Sequence, residues 1–294
     1  MADTRGDRGT FGLCEICLEP IEPERLAVDP LVRVCLDHLN TTEQRALERD
    51  LELAAKIQRG LLPTPHARAH GWEITYHYQP ASIVSGDYCD YLATNAGEMY
   101  FMVGDVAGKG VAASMLMSHL RATVHTLVEM NLPLDQLMTR ASRLFSESAS
   151  LPEYATLVCG KTTRAGDLEI ANAGHPAPLL IQDGRVERVA ATGLPLGMFR
   201  DEEFEIARFT LSPGATIILV TDGVIEAEDA QGNQYGEDRL SAAVSGLATA
   251  ELQALVQACL NDVAAFQSGM KNADDVTVVG LRRTGFLDYR SDSM

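Results

Sequence analysis

Met99-Tyr100-Phe101-Met102-Val103-Gly104-Asp105-Val106-Ala107-Gly108-Lys109-Gly110 is an apolar run that ends in a glycine-rich turn around one carboxylate. The run reads as a strand leading into the turn, and the glycines permit backbone paths that a side chain would block. Asp105 therefore projects at a strand tip. Three further segments place an aspartate at the end of a strand or in a glycine turn: Ser85-Gly86-Asp87, Thr221-Asp222-Gly223 and Asp274-Asp275-Val276-Thr277. Gly-Asp pairs are also ordinary turn chemistry. Four such aspartates together, each against an apolar strand, point to hard divalent cations such as Mg²⁺ or Mn²⁺, which take oxygen ligands. Four gathered carboxylates suit two ions about 3.5–4 Å apart that activate a water between them. Without cations, each close pair of anions would cost several kcal/mol at an effective dielectric of about 20.

The glycines do not make a phosphate loop: only three residues separate Gly104 from Gly108, and Gly110 stands where Ser or Thr should bind magnesium. Lys109 is a candidate phosphate contact, although a turn lysine is often merely solvated.

Outward from this stretch the pattern is mixed. Trp72, Ile74, Tyr76 and Tyr78 alternate as in a half-buried strand. Helices are predicted near 111–130 and 134–149, then short strands at 154–162, 167–173, 177–182, 185–190, 203–210 and 215–221. A helix near 249–267 aligns Leu252, Leu255, Val256, Cys259, Leu260 and Val263, and Val276 to Leu281 forms the last strand. Consecutive short strands with separate helices imply an α+β layered domain and not a βαβ repeat.

Near the N-terminus, Cys14-x2-Cys17 and Cys35-x2-His38 are separated by 17 residues. Two such pairs can close a tetrahedral Cys3His zinc site and so stabilise a module too small for its own core. Residues 12–39 show no helical period. Residues 41–62 read as a helix capped by Thr41 or Thr42, with Leu47, Leu51, Ala54, Gln58 and Leu61 as a short coiled-coil seam, stopped by Pro63 and Pro65. The organisation is thus 1–40 zinc-finger-like module, 41–65 helical linker, 66–284 main domain and 285–294 frayed tail.

The chain has 294 residues, 46% hydrophobic, with a net charge of −17. That charge argues against nucleic-acid or membrane binding by attraction. The absence of an 18-residue apolar run predicts no transmembrane helix, and cytoplasm is the expected location. There the six cysteines are expected as thiols or metal ligands, with Cys89, Cys159 and Cys259 as buried thiols. His119 and His125, six apart, do not share a helix face as a metal pair.

The ordered segments Ser85-Gly86-Asp87-Tyr88-Cys89-Asp90, Gly104 to Gly110, Asn172-Ala173-Gly174-His175-Pro176, Gly193-Leu194-Pro195-Leu196-Gly197, Thr221-Asp222-Gly223 and Asp274-Asp275-Val276-Thr277 resemble the SpoIIE/RsbU branch of the metal-dependent, type 2C-like protein phosphatases. The resemblance covers about residues 50–283. It implies an α-β-β-α sandwich, two central antiparallel sheets flanked by helices, with two Mn²⁺ or Mg²⁺ ions at one end. Asp105 and Asp222 are the implied catalytic carboxylates. Asp105 would bridge both ions, Asp87 and the Val106 carbonyl would hold one, and Asp222 and Asp274 the other. Asp275 is the alternative to Asp274. Asp90 is either a supporting residue behind the ligands or a turn residue, and His175 either a general acid or a loop-ordering residue. Ser85 stands where many relatives have glycine.

The resemblance further implies hydrolysis of phosphoserine or phosphothreonine on a bacterial regulator, an anti-sigma-factor antagonist, by water activated between the metals. The alternative is a pseudophosphatase that binds a phosphoprotein without efficient hydrolysis. A regulatory partner, and a homodimer through the linker helix, complete the expected contacts. Cys14 to Ile21 with Cys35-Leu36-Asp37-His38 also resembles the DksA/TraR-type zinc finger, with histidine replacing the last cysteine.

Overall fold

A computed structural model describes residues 11–148, 153–199, 202–247, 250–270 and 272–285. The chain divides into two compact units, Met1–Lys56 and Ile57–Met294.

In the first unit a helix, α1 (Pro23–Val28), and a 3-10 turn (Leu36–His38) precede a long helix, α2 (Thr41–Leu61), whose last turn belongs to the second unit. The α1 helix falls where no helical period is visible, because six residues are too few to show one. Pro23 starts it, with its backbone angle preset for a first turn. Asn40, rather than either threonine, caps α2. Its Oδ1 accepts from the Thr42 and Glu43 amides, and Glu43 Oε2 accepts from the Asn40 amide, a reciprocal box.

The second unit contains, in chain order, β1 (His66–Ala69), β2 (Trp72–Gln79), β3 (Asp87–Ala93), β4 (Glu98–Val106), α3 (Val111–Glu129), α4 (Leu134–Ser148), β5 (Ala155–Thr163), β6 (Asp167–Ala173), β7 (Leu179–Gln182), β8 (Arg185–Arg188), β9 (Ala207–Thr210), β10 (Thr216–Val220), α5 (Asp222–Ile225), α6 (Glu237–Ser245), α7 (Leu252–Gln267) and β11 (Val276–Arg283). One sheet has the order β3-β4-β5-β6-β9 and the other β1-β2-β11-β10-β7-β8, and every pairing is antiparallel.

Phe101, Val103 and Val158 of the first sheet share a buried cluster with Trp72, Ile74, Leu219 and Leu281 of the second. Tyr100, Met102 and Leu157, on the opposite face of the first sheet, pack with α3 and α4. Ile218, Val220 and Val278 pack with α6 and α7. Covered on both faces, β4 and β10 are apolar at successive positions instead of alternating. The predicted layering therefore forms, as two antiparallel sheets with helices outside.

Candidate functional site

The strand pairing brings the acidic segments to one end. Asp87, at the start of β3, lies directly opposite Asp105 near the end of β4. In the second sheet β10 ends as β11 begins, which places Thr221, Asp222 and Asp274 at the same end. There the Thr221 amide donates to the Thr277 carbonyl and the Thr277 amide to Thr221 Oγ1, each at 3.1 Å. Both threonine hydroxyls also reach across to the first sheet. Thr221 Oγ1 donates to Asp87 Oδ2 at 2.9 Å, and Thr277 Oγ1 donates to the same oxygen. The other oxygen, Asp87 Oδ1, is buried and has no hydrogen-bond partner among the described residues.

Burial pushes the Asp87 carboxyl well above the usual range, with the charges of Asp105 and Asp275 adding, while the two threonine donors oppose. Burial, and then the charges of Asp222, Asp274 and Asp275, push Asp105 up to about 7. Asp222 is raised by burial and by Asp274 and Glu226. Three carboxylates from two sheets thus share a site that disfavours their own charge. Two glycines allow the approach. A Cβ on Gly86 would sit 2.8 Å from Asp105 Oδ1 and 3.0 Å from the Val106 carbonyl, and one on Gly223 would lie 1.9 Å from the Asp275 carbonyl.

Asp274 and Asp275 are differently placed. Asp275 uses both oxygens to hold the 81–86 loop, accepting from the Ala81 amide (2.7 Å), Ser85 Oγ (2.7 Å) and the Gly86 amide (3.0 Å). Asp274 Oδ2 instead lies 2.9 Å from Lys109 Nζ, which also donates to the Ala273 carbonyl at 3.1 Å. Lys109 therefore ties the glycine turn to the 273–275 loop.

Gln58 leaves the proposed seam. It is buried, its Nε2 donates to the Ser85 carbonyl at 2.7 Å and its Oε1 accepts from the Ser85 amide at 3.0 Å, so it fixes the residue two before Asp87. Asp90 is neither a turn residue nor behind the ligands. Three positions along β3 from Asp87, it faces α3 and pairs with Arg121 Nε (3.0 Å) and His125 Nε2 (2.6 Å).

His175 is buried. Its Nδ1 lies 2.8 Å from Thr156 Oγ1, and its backbone exchanges hydrogen bonds with the Asn172 side chain. Burial lowers its pKa to about 3, with the Val220 carbonyl opposing, and Nε2 has no well-formed hydrogen bond among the described residues. The neutral ring orders a loop and is not set up as an acid. Sequence reading missed the roles of Gln58, Thr221, Thr277 and Asp275. The available signal was a threonine in both acidic motifs of the second sheet.

In the first unit the ligand atoms of Cys14, Cys17, Cys35 and His38 all lie within 4.8 Å of one another. Cys17 and Cys35 Sγ are 3.8 Å apart, and Cys35 Sγ is 3.2 Å from His38 Nδ1. Burial opposes ionisation of Cys14, yet backbone donors at Cys17, Cys35 and Ile16 bring its thiol down to about 6. Burial, with Cys14 and Cys17 beside it, pushes Cys35 up to about 11. Among the described residues, Ile21 is buried with Cys14 and Cys35, and Leu26, Val32 and Val34 are partly so.

Residues 95–284, nearly two thirds of the chain, match the family described as Stage II sporulation protein E (SpoIIE). Protein IcfG of Synechocystis sp. is 26% identical over 263 residues, which cover 80% of this chain and 41% of that protein. The phosphoserine phosphatase RsbP of Bacillus subtilis is 29% identical over 186 residues, 61% of this chain and 46% of RsbP. The chain thus spans less than half the length of either relative. The SiaA-PP2C domain of Pseudomonas aeruginosa superposes with a TM-score of 0.72 at 22% identity, over 83% of this chain and all but 1% of that domain, so the two share a fold. With a PP2C-like sandwich and a family match that takes in Asp105, Asp222 and Asp274, the chain belongs to the SpoIIE family.

Proposed function

We propose that this chain is a Mn²⁺- or Mg²⁺-dependent protein serine/threonine phosphatase, acting on a phosphorylated regulator of the anti-sigma-factor-antagonist type. The observation that carries the reading is Asp87 Oδ1, a buried oxygen without a donor beside carboxylates whose charge is disfavoured until cations arrive. Asp105 would be shared between two ions, with Asp87 and the Val106 carbonyl completing one set and Asp222 and Asp274 the other. When bound, the ions supply an activated water for in-line attack on phosphorus and offset charge on the phosphoryl oxygens.

The chain's own residues place that chemistry. Thr221 and Thr277 leave Asp87 one free oxygen, Asp275 and Gln58 hold the loop that carries it, and Lys109 is the candidate phosphate contact, drawn from Asp274 as substrate enters. Neutral His175 donates no proton at physiological pH. A scaffold without turnover is disfavoured, because all four acidic positions are retained.

A structural Zn²⁺ on Cys14, Cys17, Cys35 and His38 is part of the proposal. The 3.8 Å sulfur separation matches the ~3.8 Å that tetrahedral zinc with ~2.3 Å Zn–S bonds requires. A regulatory partner or second copy of the chain would use the seam of α2, where Leu47 is exposed and Leu51 and Ala54 are half-buried. No described helix is long and apolar enough to cross a membrane, and we place the enzyme in the cytoplasm.

The test is hydrolysis of a phosphoserine peptide with Mn²⁺, with EDTA, and by Asp105→Ala. Mn²⁺-dependent turnover that falls to background in both controls is expected. Activity that ignores chelation or the substitution refutes the reading.

A further inference from the structure

The end of the sandwich that carries the carboxylates also gathers exposed apolar side chains. Ile83 lies in the loop held by Asp275 and Gln58. That loop packs on the first turn of α3, since a Cβ on Gly86 would be 3.5 Å from Ala113 Cβ. Val111 and Met115 stand one turn apart on that helix, and Met115 is 67% exposed. The Tyr154 carbonyl accepts from the Ala107 amide at 2.9 Å, next to the acidic turn, and Ala155 exchanges hydrogen bonds with Leu196. Two and three residues beyond Leu196 come exposed Met198 and Phe199. At the opposite end, the loops at 70–71, 94–97, 164–166, 183–184 and 212–214 carry no large exposed apolar side chain among the described residues, and Met130, just past the far end of α3, is exposed singly.

Single exposed apolar residues need no explanation, but a group around one site marks a contact surface. The acidic centre narrows what covers it. A second copy would bring two carboxylate clusters face to face, and an anionic bilayer would meet a chain of net charge −17. A phosphorylated segment meets neither obstacle: its phosphate enters the centre with the cations, and its neighbouring residues lie on the rim.

We infer that this rim is a substrate-docking surface selecting phosphoserine or phosphothreonine flanked on both sides by apolar residues. The inference rests on the phosphatase reading and adds to it the chemistry of the substrate's flanks. Ile83, Val111 and Met115 form one side of the rim, and Tyr154, Met198 and Phe199 the other.

The test uses the full chain with Mn²⁺ and three substrates: p-nitrophenyl phosphate, a phosphoserine peptide with Leu and Phe on both flanks, and the same peptide with Ser and Gly there. Burying one or two apolar side chains predicts kcat/KM at least about tenfold higher for the apolar peptide. Met115→Asp and Phe199→Asp should each lower the ratio of apolar-peptide to nitrophenyl-ester turnover about tenfold. Equal kcat/KM for the two peptides in the unsubstituted chain overturns the inference, as does a preference that survives both substitutions. The peptide comparison needs no variant, so a folding failure cannot mask it. Fluorescence anisotropy with a labelled apolar peptide separates the two ideas. If nothing is hydrolysed yet this peptide binds more weakly to both variants, the phosphatase reading falls and the docking surface stands. If nothing is hydrolysed and nothing binds, both fall.

Discussion

Asp105 should make the metal-free protein lose stability as pH rises. Its carboxyl is pushed from 3.8 to about 7 by burial and by Asp222, Asp274 and Asp275. A folded-state pKa above the unfolded one means that the native chain holds the proton more tightly. The stabilisation is complete below about pH 4 and is lost as pH climbs through 7. The displacement corresponds to about 4 kcal/mol, or roughly 10 °C in Tm for a domain of this size. Asp87 and Asp222 are raised too, so each adds a loss of stability of the same sign as pH rises. Trp72, the only tryptophan, is buried between the sheets and reports unfolding by fluorescence in urea. In EDTA, stability should fall between pH 5 and 8, and Mn²⁺ should restore it. Asp105→Asn should flatten the slope, exceed the unsubstituted chain in metal-free stability at pH 8, and gain little from Mn²⁺. If metal-free stability is flat or rising over this range, or if Asp105→Asn keeps the full slope, the electrostatic account of the site is wrong.

Gly223→Ala should cost at least about 3 kcal/mol in urea denaturation, because its Cβ would meet backbone at Asp275. Gly60→Ala, in helix α2 with nothing within 4 Å of the new carbon, should instead stabilise by about 0.5–1 kcal/mol. Asp275→Asn cannot accept all three of its donors, so it should cost about 1–3 kcal/mol and weaken Mn²⁺ binding by isothermal titration, through displacement of the Ser85–Asp87 loop. Cys14→Ser should take zinc from about one per chain to none by elemental analysis and abolish amide-exchange protection in residues 11–39. Retained zinc in that variant would exclude the four-ligand site.

What the sequence made legible was set by contact range. The acidic tips could be read because Asp87, Asp105 and Asp222 sit beside a glycine, and Asp105, Asp222 and Asp274 lie within two residues of an apolar strand. Helices α3 and α4 and strands β5 and β6 fall within a residue of their expected bounds, because each repeats its pattern over several positions. Asp87 to Ala93 does not read as a strand from sequence, since Asp87 and Asp90 interrupt its apolar pattern and find partners only in the fold. Asp90 is satisfied by Arg121 and His125 of a helix, and one oxygen of Asp87 by hydroxyls 134 and 190 residues away. Gln58 fits a coiled-coil spacing equally well, and only its bonds to the distant Ser85 assign it to the loop. Helix α6, with nine residues, and β1, with four, are too short for periodicity to announce.

Asp87 hangs from one layer while the hydroxyls that grip it belong to the other, so the spacing of the acidic oxygens is a gauge of how the layers are aligned. A slide of one strand position, about 3.3 Å, would pull the grip apart. A void opened deep between the layers, at Phe101 or Leu219, can therefore be felt at the far tip without any side chain there being touched.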